Sequence, residues 1–464
     1  MTHTKTICAI STAPGAGAIA IVRLSGSEAF TILSKIFTPA KEGKKIEEQK
    51  TNTLHFGTIH DKGKIIDEVL VSVFRMPHSF TGENVVEISC HGSVFIQQAI
   101  LQLMLKNGAS MAAPGEFSKR AFFNGKMDLA QAEAVADLIS AQSKAAHSVA
   151  LKQMRGGVSN EIKTLRNELL QFTTLVELEL DFSEEDVEFA NREQLLQLTN
   201  TISKLINKLT GSFEYGNAIK NGLPVAIIGD ANVGKSTLLN ALLNEEKAIV
   251  SEIAGTTRDV IEDVVIIEGI QFRFIDTAGI RTTSDHVETI GIERTFQKIE
   301  QAEIVLTIID ATSSFNNIIM FLTRMSEKLH TKNTALLINK TDLAQSDDLD
   351  ELIRMGEEMQ FPTLSISAKN NIGIEQLIQF LVNSVQSNGY DENDVIITNM
   401  RHFESLSHAG KAIERVHEGL TAGISGDFLS QDIRECLHYL GEITGEISTD
   451  EVLGNIFKNF CIGK

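Results

Sequence analysis

The segment Gly229-Asp-Ala-Asn-Val-Gly-Lys-Ser236 has the composition and spacing of a phosphate-binding loop. It follows the apolar run Leu223–Ile228 and precedes a segment with helical periodicity, which is the strand–loop–helix context that such a loop requires. Glycines let backbone N–H groups wrap around phosphates, and the N-terminus of the next helix adds positive potential. The spacing therefore predicts that Lys235 contacts the β- and γ-phosphates of a nucleotide and that Ser236 binds Mg²⁺.

Two later segments predict the rest of a site for Mg²⁺ and the γ-phosphate. Gly255-Thr-Thr-Arg-Asp259 offers Thr257 as a second hydroxyl ligand of the metal. Phe274-Ile-Asp-Thr-Ala-Gly279 ends an apolar run. We expect Asp276 to reach the metal through water and Gly279 to sense the γ-phosphate.

The segment Leu336-Leu-Ile-Asn-Lys-Thr-Asp342 predicts recognition of guanine. Asp342 can accept both N–H groups on the edge of guanine, which adenine does not offer, while Asn339 and Lys340 support the base. Ser367-Ala-Lys369 would close the base pocket. Five elements in this order predict a guanine-specific P-loop GTPase. The nucleotide-binding residues predicted from these elements are Asn232, Val233, Gly234, Lys235, Ser236, Thr237, Thr257, Asp276, Thr277, Ala278, Gly279, Asn339, Lys340, Asp342, Ser367, Ala368 and Lys369.

The residue after the third of these elements, Phe274–Gly279, leaves the mode of catalysis open. Many small GTPases have Gln there to orient the attacking water, whereas this chain has Ile280. One interpretation is a slow GTPase that needs an external activator. The other is internal catalysis, in which Asn232 coordinates a monovalent cation beside the phosphates, where positive charge stabilises the transition state, and Glu288 polarises water. The candidate catalytic residues are Asn232, Lys235 and Glu288, although Asn232 and Glu288 taken alone are more typical of ordinary polar surface groups.

Composition and charge limit the remaining functions. At roughly 150 residues per domain, a chain of 464 residues predicts about three domains. Four scattered cysteines without CxxC spacing, no signal peptide and no membrane-length apolar run favour a reduced, cytoplasmic protein that does not enter a membrane. A net charge of −19 predicts poor unaided binding of nucleic acid, because phosphate contacts dominate that affinity.

The changing pattern of apolar and polar residues along the chain predicts a multidomain α/β and α fold. Residues 1–124 have the short strands and helices of an α+β domain, and residues 218–384 alternate strands and helices like a Ras-like P-loop GTPase domain on a parallel sheet. That domain would be inserted into a discontinuous helical domain, residues 125–217 and 385–464. Capping-box pairs predict helix starts at Asp128 with Gln131 and at Ser448 with Glu451. We expect the first of these helices to continue to Gly156.

With these motifs in view, the whole chain resembles the MnmE (TrmE) family of tRNA-modification GTPases. Besides the GTPase elements, the resemblance rests on Pro14-Gly15, Ile21-Val-Arg-Leu-Ser-Gly26, Ser79-Phe-Thr-Gly-Glu83, Pro114-Gly-Glu-Phe-Ser-Lys-Arg-Ala-Phe122, Asn124-Gly-Lys-Met-Asp-Leu-Ala-Gln-Ala-Glu133 and the terminal Cys461-Ile-Gly-Lys464.

The resemblance implies a homodimer joined through N-terminal domains that bind 5-formyltetrahydrofolate or a related one-carbon folate. It places the folate at Arg23, Glu87, Lys126 and Lys464, each of which is otherwise typical of a surface ion pair. It also implies hydrolysis stimulated by K⁺, with Glu288 at the family's catalytic glutamate. The K⁺ loop would add Ser251, Glu252, Ile253, Ala254, Gly255 and Thr256 to the nucleotide site, and the cation ligands would be Asn232, Ser251, Ile253 and Thr256.

The resemblance further implies a reaction and a partner. Together with the FAD-dependent protein MnmG (GidA), such a chain adds a carboxymethylaminomethyl or aminomethyl group to C5 of the wobble uridine of certain tRNAs. The tRNA would be held mostly by that partner, and GTP hydrolysis would drive domain movements. The alternative is a GTP-dependent switch in ribosome assembly without covalent chemistry, which needs neither the folate residues nor Lys464.

Overall fold

The computed structural model describes residues 5–181, 192–243, 248–250, 263–275, 296–386, 394–424, 426–458, 460 and 463. The strands are β1 Ile7–Ile10, β2 Ile19–Ser25, β3 Phe37–Pro39, β4 Thr53–Asp61, β5 Lys64–Phe74, β6 Val85–His91, β7 Ser110–Met111, β8 Leu223–Ile228, β9 Ala248–Val250, β10 Asp263–Ile267, β11 Ile270–Phe274, β12 Ile304–Asp310, β13 Asn333–Asn339 and β14 Thr363–Ser365. The helices are α1 Ala29–Ser34, α2 Val94–Lys106, α3 Glu116–Phe123, α4 Leu129–Ser140, α5 Lys144–Met154, α6 Gly157–Asp181, α7 Arg192–Gly211, α8 Phe213–Asn221, α9 Lys235–Leu243, α10 Phe315–Leu329, α11 Ser346–Glu358, α12 Ile374–Gln386, α13 Met400–Ala422, α14 Gly426–Thr444 and α15 Asp450–Lys458.

The chain divides into two compact units. The first unit contains residues 1–136, 153–175 and 433–464, and the second contains residues 137–152 and 176–432. Among the described residues, no helix is both long enough and apolar enough to cross a membrane.

The first unit is built on a seven-stranded sheet in the order β3-β4-β5-β6-β2-β1-β7. Its pairs are antiparallel except for β1 with β7, and the sequence of β5 shows why one face is covered. Val69, Val71 and Val73 alternate with partly or fully exposed residues, so a single face of the strand is buried. Helices α1 and α2 pack on that sheet and complete the core.

The second unit contains a seven-stranded sheet in the order β14-β13-β12-β8-β11-β10-β9. The first five strands are parallel, and β10 and β9 continue the sheet in antiparallel pairing. All seven residues of β12 are buried, as expected of a central strand covered on both faces. The carboxyl ends of β8, β12 and β13 meet at one edge, where Asp310 lies opposite Asn339. Ligands bind at this edge in open α/β sheets.

Local predictions agree with the structure in part. Strands β1 and β8 begin and end where the sequence predicts them. The capping box at α4 is confirmed, since the Gln131 N–H donates to Asp128 Oδ1 and the Asp128 N–H donates to Gln131 Oε1, both at 3.0 Å. The fold class predicted from the sequence, with its α+β, helical and P-loop parts, is confirmed. The predicted domain boundaries stay a prediction, and residues 387–393, next to the boundary predicted at residue 385, lie outside the described residues.

Two predicted helix limits were wrong. The helix after Asp128 ends at Ser140 instead of continuing to Gly156, and a new helix begins at Lys144. The Ser143 hydroxyl accepts the Ala146 N–H at 3.1 Å, so it caps the new helix and competes with continuation of the first. The last helix is capped by Thr449, whose hydroxyl accepts the Val452 N–H at 3.3 Å, and not by its neighbour Ser448.

Candidate nucleotide-binding site

The phosphate loop connects β8 to α9 through a backbone that only certain residues adopt easily. Gly234 has φ +104°, and a β-carbon there would lie 2.3 Å from Asn339 Nδ2. Asn232 has φ 61°, the left-handed region that asparagine tolerates better than most side chains. The loop therefore brings its amide groups to the N-terminus of α9, as the sequence predicts for phosphate binding.

Lys235 lies at the first turn of α9 with its ammonium group inside the loop. Nζ donates to the carbonyl oxygen of Gly229 at 2.8 Å and to that of Asp230 at 2.6 Å. Burial lowers the pKa of this lysine, and the positive charge of Lys298 lowers it further, whereas Asp230 raises it. The ammonium group is thus held beside the backbone that would surround the phosphates.

Asn339, the last residue of β13, is buried between the phosphate loop and the predicted base pocket. Its Nδ2 donates to the carbonyl oxygen of Val233 at 2.8 Å. Its Oδ1 accepts the N–H of Ala368 at 3.0 Å. One side chain therefore joins the loop that follows β8 to the turn that follows β14.

Lys340 makes a second connection to the phosphate loop. Its Nζ donates to the carbonyl oxygen of Asn232 at 3.0 Å and pairs with Asp310 Oδ2 at 2.6 Å. Lys340 itself has φ 65°, so the backbone turns sharply as it leaves β13. The contacts of Asn339 and Lys340 fix two consecutive carbonyl groups of the loop.

Asp342 lies next to the turn that contains Ser367, Ala368 and Lys369. The Ser367 hydroxyl is the main cause that lowers the pKa of the Asp342 carboxyl, with smaller contributions from Asn370 and Lys369. The loop that contains Asp342 is bonded to the strand end before this turn, because the Thr341 hydroxyl donates to the Ile366 carbonyl at 3.0 Å. An ionised, exposed carboxylate at this place can accept two N–H groups from a base.

Several predicted residues of this site lie outside the described residues. They are Ser251, Glu252, Ile253, Ala254, Gly255, Thr256, Thr257, Asp276, Thr277, Ala278, Gly279 and Glu288. Their predicted contacts with Mg²⁺, K⁺, the γ-phosphate and water stay predictions. Ser236, the other predicted Mg²⁺ ligand, is half-buried in the first turn of α9.

Asp310 belongs to this edge of the sheet, although it lies outside the sequence motifs described above. Asp310 is nearly buried. Its Oδ1 accepts two hydrogen bonds from Thr312, one from the backbone N–H at 2.9 Å and one from the hydroxyl at 2.7 Å. Burial raises the pKa of its carboxyl, but the bonds from Lys340 and Thr312 outweigh that effect and lower it. A carboxylate that ends an otherwise almost entirely apolar strand was the available signal.

The residues predicted to bind folate lie in the first unit. Arg23 and Glu87 face each other on β2 and β6 and form an ion pair of 2.8 Å. The Arg23 guanidinium also donates to the carbonyl oxygen of Gly463 at 3.3 Å and lies 5.6 Å from the ring centroid of Phe80.

Lys126 contacts the Met76–Thr81 segment, which also contains Phe80, at Pro77. Its Nζ donates to the Pro77 carbonyl at 3.1 Å, and it lines an open cavity of about 300 Å³ that Lys163 also borders. Lys464 lies outside the described residues.

Cys90 is buried on β6, and burial raises its pKa to about 11, with a further contribution from Asp67. Its neighbour His91 points away and pairs with Asp67 through Nδ1 at 2.7 Å. Neighbouring side chains on a strand point to opposite faces, which places Cys90 in the core and His91 outside it. Cys461 and the acidic segment 182–188 lie outside the described residues. Among the residues that the structure describes, no cluster of His, Cys, Asp and Glu could hold a metal ion.

A parallel sheet with a phosphate loop after β8 and an Asn-Lys-Thr-Asp loop after β13 defines a P-loop GTPase, an enzyme that hydrolyses GTP. Two family models match the chain: "GTP-binding protein TrmE N-terminus" over residues 6–126 and "MnmE helical domain" over residues 129–461. The chain belongs to the MnmE family of tRNA modification GTPases.

Curated relatives match over the full length. The tRNA modification GTPase MnmE of Bacteroides fragilis is 57% identical over 462 residues, which cover 99% of each chain. That of Bacteroides thetaiotaomicron is 55% identical over 462 residues, again 99% of each chain, and that of Flavobacterium johnsoniae is 52% identical over 467 residues, 100% of each. Among solved structures, the FeoB G-domain from Methanococcus jannaschii is 26% identical, covers 35% of this chain and 98% of its own, and has a TM-score of 0.27.

Proposed function

We propose that this chain is the GTP-hydrolysing component of a tRNA-modifying complex in the cytoplasm. With an FAD-dependent partner of the MnmG (GidA) type it adds a carboxymethylaminomethyl or aminomethyl group to C5 of the wobble uridine of certain tRNAs. The observation that carries the proposal is full-length identity of 52–57% to curated tRNA modification GTPases, combined with the guanine nucleotide site described above.

The charge of the chain supports a division of labour within that complex. A protein with net charge −19 repels a polyanion, and its own counterion release on tRNA is small. We therefore assign most of the tRNA-binding surface to the partner, in a heterotetramer with two copies of this chain. Tight tRNA binding by this chain alone at high salt would overturn that assignment.

In the nucleotide site we assign Lys235 to the β- and γ-phosphates and Asp342 to the guanine edge. Ser236 and Thr257 would hold Mg²⁺, which neutralises the charge that develops on the phosphates. Asp276 and Gly279 would respond to the γ-phosphate.

We assign a K⁺ site to the phosphate loop and catalysis of water attack to Glu288. The Lys340 ammonium group donates to the backbone carbonyl of Asn232. The Asn232 side chain is exposed at the loop, as a cation ligand would be. Ser251, Ile253 and Thr256 would supply the other oxygen ligands. A cation beside the β- and γ-phosphates adds positive charge where the transition state needs it.

The K⁺ assignment is tested by GTP turnover in K⁺ and in Na⁺ at equal ionic strength. We expect faster turnover in K⁺ for the wild type and for Asn240→Ala, an exposed asparagine on α9, and no cation preference for Asn232→Ala. Equal wild-type rates in both salts would refute the K⁺ site without affecting the guanine site.

In the first unit we assign folate binding to Arg23, Glu87, Lys126 and Lys464. Cations hold the glutamate carboxylates of a folate well, and a carboxylate can accept N–H groups from the pterin ring. The structure supports this because the Met76–Thr81 segment contacts both Arg23, through Phe80, and Lys126, through Pro77.

Equilibrium binding of 5-formyltetrahydrofolate separates this function from the assembly switch. We expect saturable binding by the wild type, loss of affinity in Arg23→Ala, and wild-type affinity in Lys45→Ala, whose exposed ion pair with Glu48 is a matched control. A chain that hydrolyses GTP but binds no folate would favour the ribosome-assembly switch.

We also propose that two copies associate through the sheet of the first unit. Leu54, Phe56 and Leu70 are exposed there, and Phe56 lies directly opposite Leu70 across β4 and β5. Adjacent exposed apolar side chains of this size are typical of an association surface. We expect Phe56→Asp to convert a dimer into a monomer in sedimentation analysis, while the exposed Met320→Asp, on α10 of the second unit, does not.

The reaction itself is tested by reconstitution. The chain is combined with its FAD-dependent partner, GTP, a one-carbon folate and tRNA that lacks the modification, and the wobble nucleoside is analysed by mass spectrometry. The proposal predicts the C5-substituted uridine only when GTP and both proteins are present. Formation of the product without this chain would refute it.

A further inference from the structure

The Asp310 carboxylate binds Lys340, the residue that connects the base-binding loop to the phosphate loop. Its two carboxylate oxygens have separate partners: Oδ1 accepts two bonds from Thr312, and Oδ2 pairs with Lys340 at 2.6 Å. Thr312 therefore fixes the carboxylate, and the carboxylate fixes the lysine. Charge-assisted bonds of this kind are shorter and stronger than bonds between neutral groups.

The lysine that Asp310 holds is the one that reaches the phosphate loop. Lys340 Nζ lies 3.0 Å from the carbonyl oxygen of Asn232, whose own backbone is in the left-handed region. The backbone connects the same two strands, because the Ala311 N–H donates to the Asn339 carbonyl at 2.9 Å. A continuous series of contacts thus runs from Thr312 through Asp310 and Lys340 to the loop.

We propose that Asp310 is a positioning residue that sets guanine nucleotide affinity by holding Lys340 between the base-binding loop and the phosphate loop. Without the carboxylate, the lysine side chain is free to adopt other rotamers, and the Asn232 carbonyl loses a fixed donor. Nucleotide binding must then order these groups, which lowers affinity. Asp310 itself makes no contact with substrate in this account.

The ion pair of Asp310 with Lys340 should also affect the response of GTP turnover to monovalent cations. This second part rests on the proposed K⁺ site, because Lys340 fixes the backbone of the residue whose side chain would bind the cation. Loss of the Asp310 charge is expected to raise the K⁺ concentration that gives half-maximal turnover.

The test measures GDP affinity by titration of the full-length chain with a fluorescent GDP analogue. Asp310→Asn keeps an acceptor for Thr312 but removes the charge, and we expect it to weaken GDP binding about tenfold, the size of one charge-assisted hydrogen bond. Glu300→Gln breaks an ion pair of similar length, 2.7 Å to Lys328, elsewhere in the same unit, and we expect unchanged affinity.

A double-mutant cycle separates positioning from general stability. In a Lys340→Met background, Asp310→Asn has no lysine left to position, so we expect no further loss of GDP affinity. An equal loss in both backgrounds, or wild-type affinity in the folded Asp310→Asn chain, would overturn the inference. Thr312→Val, which removes only the hydroxyl donor, provides a milder variant, and we expect a smaller loss with the same dependence on Lys340.

The two parts fail separately. If wild-type turnover shows no K⁺ preference, the proposed K⁺ site is refuted while the GDP cycle still decides the role of Asp310. If the K⁺ preference is present but Asp310→Asn leaves both GDP affinity and the K⁺ requirement unchanged, the positioning role is refuted and the K⁺ site is not.

Discussion

Asn339 Nδ2 donates a hydrogen bond of 2.8 Å to the carbonyl oxygen of Val233 and thereby connects the base-binding loop to the phosphate loop. The same amide accepts the N–H of Ala368 at 3.0 Å. The two loops are therefore connected through protein contacts alone. Such preorganisation reduces the ordering that nucleotide binding would otherwise require.

Asn339→Ala should weaken both the fold and nucleotide binding. The substitution leaves the Val233 carbonyl and the Ala368 N–H without their partner, and a buried unsatisfied group costs about 1–3 kcal/mol. We expect the free energy of unfolding of the second unit to fall by about 2 kcal/mol in urea titration, with weaker GDP binding. Asn333→Ala, at the exposed start of the same strand, is the control. Equal stability of the two variants would contradict the role of Asn339.

Gly234→Ala should abolish tight nucleotide binding. A β-carbon at this position would lie 2.3 Å from Asn339 Nδ2, and φ +104° is strained for any residue that carries a β-carbon. The loop must shift away from its connection to Asn339. Gly454→Ala is the matched control, since a β-carbon there meets no atom within 4 Å on a helix that alanine favours. Isothermal titration with GDP measures the effect, and retained affinity in Gly234→Ala would show that the loop adapts.

The sequence identified the GTPase elements because they depend on short contiguous spacing. A Gly-rich loop after a strand and an Asn-Lys-Thr-Asp run at the end of another specify their local geometry almost completely. The role of Asp310 was not visible in the same way. Its contact with Lys340 spans thirty residues and depends on the register that places β12 beside β13.

The affinity for GDP at low pH should depend on the Ser367 hydroxyl. Asp342 recognises guanine only as a carboxylate, and its pKa lies below its ordinary value of 3.8. A depressed pKa means that the ionised form is fully present above the ordinary value and is lost only as the pH falls through the lower folded value. Ser367→Ala removes the largest cause of the shift, so its loss of affinity should begin at higher pH.

The measurement is the ratio of the GDP affinities of Ser367→Ala and wild type, from about pH 5 to about pH 3, a range that includes the ordinary pKa of the carboxyl. Titration of the nucleotide itself cancels in this ratio. We expect the variant to weaken relative to wild type as the pH falls. Ser384→Ala, on α12, should show a constant ratio. A constant ratio for Ser367→Ala as well would show that its hydroxyl does not tune Asp342.

Three thiols should resist alkylation in the native protein. Burial raises the pKa of Cys8 and Cys436 to about 12 and that of Cys90 to about 11, so the reactive thiolate is scarce near neutral pH. We expect iodoacetamide at about pH 8 to label these residues only after denaturation, as read by peptide mass spectrometry. Rapid native labelling of Cys8 would mean that the first unit opens readily.

Helix limits were the least predictable part of the fold. The composition from Asp128 to Gly156 favours helix throughout, and the break at Ser143 depends on a single hydroxyl that accepts an N–H of the next segment. Likewise, Ser448 and Thr449 are both good caps by type, and in the structure it is the Thr449 hydroxyl that accepts the Val452 N–H. Local propensity alone does not decide between adjacent candidates.

The central claim, a GTPase-dependent role in tRNA modification, is tested most directly by nucleoside mass spectrometry of bulk tRNA from cells with and without this chain. We expect loss of C5-aminomethyl-type wobble uridines in cells without the chain, restored by the wild type and not by Lys235→Ala, which removes the ammonium group from the phosphate loop. An unchanged nucleoside profile in cells that lack the chain and any redundant pathway would contradict it.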